Sequence, residues 1–238
     1  MRGSVFDDLR GLLPSNSSCY APDLPGHGEL AHEAPSVDAA ARALAQLLDA
    51  HQGRVLVVGW SMGAMVAWRY VERFGDARLA GLMTIDMSPR LANDAGWRHG
   101  LIGQSAADLA ETTCRMRRDW PGVAEAIAST MFSSRDGALG FSRTAALRQI
   151  LANDRGRMIA AWEDLQRQDL RHVVPRLSCP VVAACGARSR VYPASAAEWL
   201  VATAPKARMH VFAQSGHSPH LEEPEEFAQT LAGFWRSL

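Results

Sequence analysis

The chain carries no excess charge of either sign. Its 238 residues hold 25 Lys and Arg against 25 Asp and Glu. No electrostatic footprint therefore points to nucleic acid or to a membrane surface. Long apolar runs are missing too: the longest, such as Val55 to Trp60, fall far short of a bilayer span. Cysteine is scarce. Cys19, Cys114, Cys179 and Cys185 are widely spaced and form no paired metal motif. Buried free thiols in a reducing cytoplasm are the expectation. No His/Cys/Asp cluster has metal-ligand spacing, so no metal is expected. The opening Met1-Arg2-Gly3-Ser4 lacks the apolar stretch of a signal peptide, and the expected location is the cytoplasm. Repeats and low-complexity tracts are absent. What is present is 47% hydrophobic and 21% charged residues, the balance of one globular domain with a large core.

The pattern of apolar residues alternates between strand and helix. Val5 to Leu13 reads as a short helix and Ser18 to Asp23 as a short strand, followed by the turn Asp23-Leu24-Pro25-Gly26-His27-Gly28. Ser36 is placed to cap a helix running to about His51. Arg54 to Gly59 is a continuous apolar strand, the pattern of a parallel strand covered on both faces. Met62 to Phe74 is a helix ended by Gly75. Leu79 to Ile85, Pro180 to Cys185 and Ala207 to Phe212 are further strands. Ala194 to Ala204 and Glu223 to Leu238 are helices beside them. The rhythm predicts a doubly wound, mostly parallel α/β sheet. Residues 88–177 show helical patterns without a strand. They are expected to form a helical cap over the strand ends, inserted into a core made of 1–87 and 178–238.

Gly59-Trp60-Ser61-Met62-Gly63 fits Gly-x-Ser-x-Gly. Glycine and serine are common, so the pentapeptide alone says little. Its setting says more, because a buried strand ends at Gly59 and a helix begins at Met62. A nucleophilic serine needs such a sharp, strained turn, with glycines where neighbouring backbones pass close. The turn also puts Ser61 at a helix N-terminus, where free N–H groups favour an oxyanion; the Met62 N–H is the expected donor. The alternative is an ordinary βα turn with an incidental serine.

A serine hydroxyl needs a base. Of eight histidines, His217 lies on a loop just beyond the strand ending at Phe212, in Gln214-Ser215-Gly216-His217-Ser218-Pro219. From there it reaches over the sheet edge toward Ser61. His220 is the main rival. His27, in its Pro-Gly-His-Gly turn, is expected to make structural hydrogen bonds, and the other five to lie at the surface or its boundary.

Asp23-Leu24-Pro25-Gly26-His27-Gly28, Gly59-Trp60-Ser61-Met62-Gly63 and Gly216-His217-Ser218 together resemble the α/β-hydrolase superfamily, over essentially the whole chain. The resemblance extends to small carboxylesterases of the pimeloyl-ACP methyl ester type, to which Asp169 through Pro193 is similar. It implies a serine hydrolase acting on a small ester or thioester, without a cofactor. The same motifs also occur in perhydrolases and carbon–carbon bond hydrolases.

Two departures stand out. Most relatives place the acid that orients the histidine three residues after a glycine, beyond the strand that follows the cap. Here that segment is Gly186-Ala187-Arg188-Ser189, and Ser189 carries no charge. Other members, haloalkane dehalogenases among them, use the end of the strand before the cap. Thr84-Ile85-Asp86-Met87 puts Asp86 there, and the resemblance implies a Ser61–His217–Asp86 triad. The alternative for Asp86 is to cap the next helix or to pair with an arginine such as Arg90. The second departure is at the N-terminus. Relatives carry a strand and a His-Gly loop before the segment resembling Gly3-Ser4-Val5-Phe6, and that loop supplies a second oxyanion N–H. The expectation is a chain truncated relative to a longer protein. Alternatively, the strand at Ser18 to Asp23 pairs directly with the one at Arg54 to Gly59.

Trp97, Met116, Trp120, Met131, Phe132, Phe141, Met158 and Trp162 lie in the cap region. Most are expected to pack helices on one another. Trp60, Met131, Phe132 and Trp162 are the candidates to line an acyl pocket. Thr112 to Ala160 holds eight arginines against four acidic residues. Such an excess is usually a solvated helix face, though it would also suit an acyl carrier protein. A non-catalytic binding protein on the same fold is the reading from a different class.

Overall fold

The computed structural model describes residues 1–238. Four strands, β1 (Val55–Trp60), β2 (Leu79–Ile85), β3 (Val181–Gly186) and β4 (Ala207–Phe212), form one parallel sheet in the order β1-β2-β3-β4. The register pairs Trp60 with Ile85, Ile85 with Ala184 and Gly186 with Phe212. All four carboxyl ends therefore reach the same edge of the sheet. Strands paired in parallel need long crossovers, and helices supply them on both faces. In chain order these helices are α1 (Asp7–Arg10), α2 (Val37–Ala50), α3 (Met62–Phe74), α4 (Ala106–Arg118), α5 (Trp120–Thr130), α6 (Arg143–Leu151), α7 (Arg155–Gln166), α8 (Ala194–Thr203), α9 (Pro219–Glu222) and α10 (Pro224–Arg236).

One face of the sheet packs α2, α3 and α8 through Ala41, Met65, Trp68, Leu82 and Leu200. The other packs α1 and α10 through Leu9, Met83, Ile85, Phe212, Phe227 and Phe234. With cover on both faces, β2 and β3 are buried along their whole length, as their unbroken apolar sequences require. The segment between β2 and β3 carries α4 to α7. It has its own apolar cluster of Met116, Trp120, Val123, Met131, Phe132 and Ile150, against which Trp60 and Leu221 pack. No helix is long and apolar enough to cross a membrane.

Local signals fix the element ends. Ser36 Oγ accepts the Ala39 N–H and starts α2. Gly75 ends α3 at φ 74°, a conformation in which only glycine is unstrained. Gly59 is needed for a close approach, because a Cβ there would lie 2.6 Å from the Ala64 nitrogen. Gly63 has open space on that side, so the crowding expected at both flanking glycines holds only at the first.

Ser18 to Asp23 is not a strand, and β1 pairs only with β2. The reason is local. Asp23 Oδ1 accepts the Gly3 N–H and its Oδ2 the Glu29 N–H, which folds this stretch into a turn. Pro22 in addition has no N–H to give a ladder. Val55 to Val58 are consequently only half-buried. The cysteines also differ from expectation. Cys179 and Cys185 are buried, but Cys19 lies on the exposed stretch before this turn and Cys114 on the outer side of α4.

Candidate active site

Ser61 sits between the end of β1 and the start of α3. Its backbone is held at φ 51°, ψ −122°, a region natural to glycine and costly for any side chain. Two ties hold it there. Its N–H donates to the Ile85 carbonyl at 3.0 Å and its own carbonyl accepts the Ala64 N–H at 2.9 Å. The Met62 N–H is at the first position of α3, where helix donors have no partner within the helix. Ser61 Oγ makes no hydrogen bond, to His217 or to any other group in the chain.

One residue past β2, Asp86 also has a positive φ, 45°, which aspartate tolerates better than most residues. It is buried, and its Oδ2 accepts from His217 Nδ1 at 2.7 Å. The same oxygen accepts from Ser189 Oγ at 2.7 Å. The Ser189 oxygen in turn accepts the Val191 and Tyr192 N–H groups at 3.2 and 3.3 Å. With both lone pairs engaged, its hydroxyl hydrogen points at Asp86. Burial, then the Asp86 charge, pushes the Cys185 thiol up to about 12, and the same two causes raise the Tyr192 hydroxyl. Both therefore stay neutral beside the carboxylate. Arg90 turns away, pairing with Asp94 at 2.6 Å, so the alternative Asp86–Arg90 pair is not formed.

His217 is buried, and its carbonyl accepts the Trp60 indole N–H at 2.7 Å. Trp60 thus ties the strand carrying Ser61 to the loop carrying His217. Met131 and Phe132 are buried in the apolar cluster of the helical segment. What they turn to the neighbouring loops is backbone: the Met131 carbonyl accepts from Ser218 Oγ on the His217 loop and the Phe132 carbonyl from Arg190 on the loop after β3. Trp162 is half-buried between that cluster and the main core, with its indole N–H on the Leu109 carbonyl at 3.4 Å. No group of three or more His, Cys, Asp or Glu side chains is placed to hold a metal ion. Of the arginines between Thr112 and Ala160, Arg117, Arg118 and Arg143 pair with Glu163, Glu111 and Glu125 at the surface.

His220, the rival base, points elsewhere. It is buried, stacked on Phe6 at 4.5 Å, and neither ring nitrogen has a hydrogen-bond partner. Burial, with His217 nearby, pushes it down to about 3. His27 is also buried, its Nδ1 on the Pro25 carbonyl at 3.3 Å, and burial and the neighbouring N-terminal ammonium push it to about 4. Both are neutral in the fold but titrate near 6.5 once unfolded. Below 6.5 the unfolded chain therefore binds more protons, and their contribution, complete above that pH, is lost as pH falls toward 4 and 3. Urea melts below pH 6.5 should lose stability with a slope that approaches about 1.4 kcal/mol per pH unit for each histidine near pH 5. His220→Leu should roughly halve their joint slope and leave the protein at least as stable at pH 7, since it removes two unpaired buried atoms. An unchanged slope would contradict this account of His220.

Residues 2–230 match the model of the "Alpha/beta hydrolase family". The chain is 28% identical to a pimeloyl-[acyl-carrier protein] methyl ester esterase of Chromobacterium violaceum, over 98% of this chain and 89% of the relative. It is 30% identical to the protein of that description from Aromatoleum aromaticum, over 94% and 90%. The solved esterase of Exiguobacterium antarcticum superposes with a TM-score of 0.88 at 19% identity, over 98% of this chain and 87% of that one. The strained serine turn at the carboxyl edge of a parallel sheet, the helices on both faces and the match of the family model over residues 2–230 agree: the chain is an enzyme of the alpha/beta hydrolase family.

Proposed function

We propose that the protein hydrolyses a carboxylic ester or thioester through an acyl-enzyme on Ser61, with His217 as base and Asp86 as the acid that orients it. The observation that carries this reading is the buried 2.7 Å contact between His217 Nδ1 and Asp86, at the same sheet edge as the Ser61 turn. With Nδ1–H given to Asp86, the other ring nitrogen is free to take a proton. His217 removes the Ser61 proton as Oγ bonds to the ester carbonyl carbon, and the oxyanion rests on the Met62 N–H. The tetrahedral intermediate collapses, the C–O (or C–S) bond to the leaving group breaks, and His217 passes it the proton. Water then attacks the acyl carbon with His217 again as base, the Oγ–carbon bond breaks, and the proton returns to Ser61.

Residues 88–177 would act as a cap over this edge, with Trp60, Met131, Phe132 and Trp162 bounding the acyl site. The named relatives act on a methyl ester of an acyl chain carried by a protein. A substrate of that kind, a small or medium acyl ester with an acyl carrier protein as possible partner, is the first to try. The test is labelling with a fluorophosphonate probe alongside turnover of p-nitrophenyl esters of graded chain length, with Ser61→Ala as control. Labelling and turnover that vanish in the variant are expected. A folded protein with no Ser61-dependent labelling would argue for a binding role on this fold instead.

A further inference from the structure

One carboxylate joins the His217 loop to the helical segment. Glu222, the last residue of α9, accepts the Gly216 and Ser218 N–H groups on Oε2 at 2.8 and 3.2 Å. These two residues flank His217. Its other oxygen, Oε1, accepts the Ser133 N–H at 2.6 Å, from the turn after α5. That turn is held against the same loop at one more point, by Ser218 Oγ on the Met131 carbonyl at 2.9 Å, and against the loop after β3 by Arg190 on the Phe132 carbonyl at 2.8 Å. The fit is flush: a Cβ on Gly216 would lie 2.7 Å from the Ser133 nitrogen and 2.8 Å from the Phe132 carbonyl carbon. Glu223, next in sequence, makes a parallel pair of contacts one step farther from the ring. Its Oε2 accepts from the Gln214 N–H and from Ser215 Oγ.

We infer that Glu222 is a positioning residue for His217, and that it makes the placement of the His217 ring depend on the 131–133 turn of the helical segment. The inference rests on the proposed role of His217. A carboxylate is the only side chain that offers two acceptor oxygens without a donor. Both are used here, one on each side of the junction. A displacement of the turn therefore pulls on the two N–H groups that fix the backbone on either side of the base. Misplacing a reacting group by about 1 Å can cost about a hundredfold in rate.

The test compares Glu222→Gln with Glu223→Gln. In Glu222→Gln one of the two oxygens becomes an NH2 facing an N–H, so either Ser133 or the Gly216/Ser218 pair loses its acceptor. In wild type the His217 Nδ1 proton, bridging to Asp86, should give a far-downfield proton resonance. Glu222→Gln is expected to shift or lose that resonance and to lower kcat for a p-nitrophenyl ester by about ten- to a hundredfold, with KM held within about threefold. Glu223→Gln is expected to keep both, although each variant lowers the urea midpoint. A resonance and kcat in Glu222→Gln no more changed than in Glu223→Gln would overturn the inference. Should Glu222→Gln fail to fold, Glu222→Asp, too short to span both partners, carries the same comparison. If Ser61 proves unreactive the proposed activity fails, and the resonance alone still decides the role of Glu222.

Discussion

Ser61→Gly is expected to lose about a millionfold in ester turnover and to be more stable than the wild-type protein. The two effects share one cause. The serine backbone is held at φ 51°, ψ −122°, which costs a residue with a side chain about 1–3 kcal/mol. Glycine occupies that region without strain but loses about 0.5–1 kcal/mol more chain entropy on folding. The net gain is about 1 kcal/mol, worth about 2–4 °C in a domain of this size. Ser61→Ala is the informative partner. It removes the hydroxyl and keeps the Cβ, so it should lose turnover equally and show no such gain. Urea midpoints for the three proteins separate the outcomes. A glycine variant no more stable than the alanine variant would mean that the turn is not strained as its dihedrals imply. On the proposed mechanism the strain has a purpose. It sets Ser61 at the end of β1 with the Met62 N–H at the first position of α3, the arrangement that the proposed nucleophile and oxyanion donor require.

Much of this architecture could be read in the amino-acid sequence because the deciding signals are local. The apolar run from Val55 to Gly59, the Ser36 cap and the Gly75 terminator each act within a few residues, and the corresponding elements end within a residue or two of where those signals put them. The nearness of Asp86 to His217, residues 131 positions apart, was also accessible. Parallel strands carry all their carboxyl ends to one edge, so the loops past β2 and β4 share that edge although β3 lies between them, and the family resemblance singles out Asp86 and His217 on those loops. Contacts made by loops with other loops gave no such handle. Glu222 meets Ser133 across 89 positions, and nothing in an acidic helix start distinguishes a carboxylate bound to three N–H groups from a solvated one. Ser18 to Asp23 failed for the opposite reason. Its composition allows a strand, but a ladder needs a neighbour, and Asp23 has spent its acceptors on Gly3 and Glu29 instead. The positions of Met131 and Phe132 likewise depend on how α5 and α6 pack on one another, which hydrophobicity does not specify.

Asp86→Asn is expected to cut turnover by about a hundred- to a thousandfold while leaving the fold intact, since asparagine tolerates the positive φ at this position as well as aspartate does. In serine proteases the corresponding exchange costs about ten-thousandfold, because the amide presents its NH2 to the histidine and forces the wrong tautomer. The surroundings here oppose that outcome. One oxygen of Asp86 accepts from both His217 Nδ1 and Ser189 Oγ, and the other accepts no hydrogen bond within the chain. Ser189 can only donate, because its lone pairs hold the Val191 and Tyr192 N–H groups. An asparagine at 86 is therefore steered to set its oxygen, not its NH2, toward both donors. It keeps the tautomer and loses only the charge that stabilises the imidazolium. Removing the donor should reveal this. Ser189→Ala alone is expected to cost a few-fold, the scale of one hydrogen bond of about 1 kcal/mol. In the Asp86→Asn background the same change frees the amide to flip and should cost at least tenfold more. Rates for the four proteins, with p-nitrophenyl acetate at fixed pH, give the coupling directly. Additive losses would show that Ser189 does not orient residue 86, and near-normal turnover in Asp86→Asn itself would remove Asp86 from the triad.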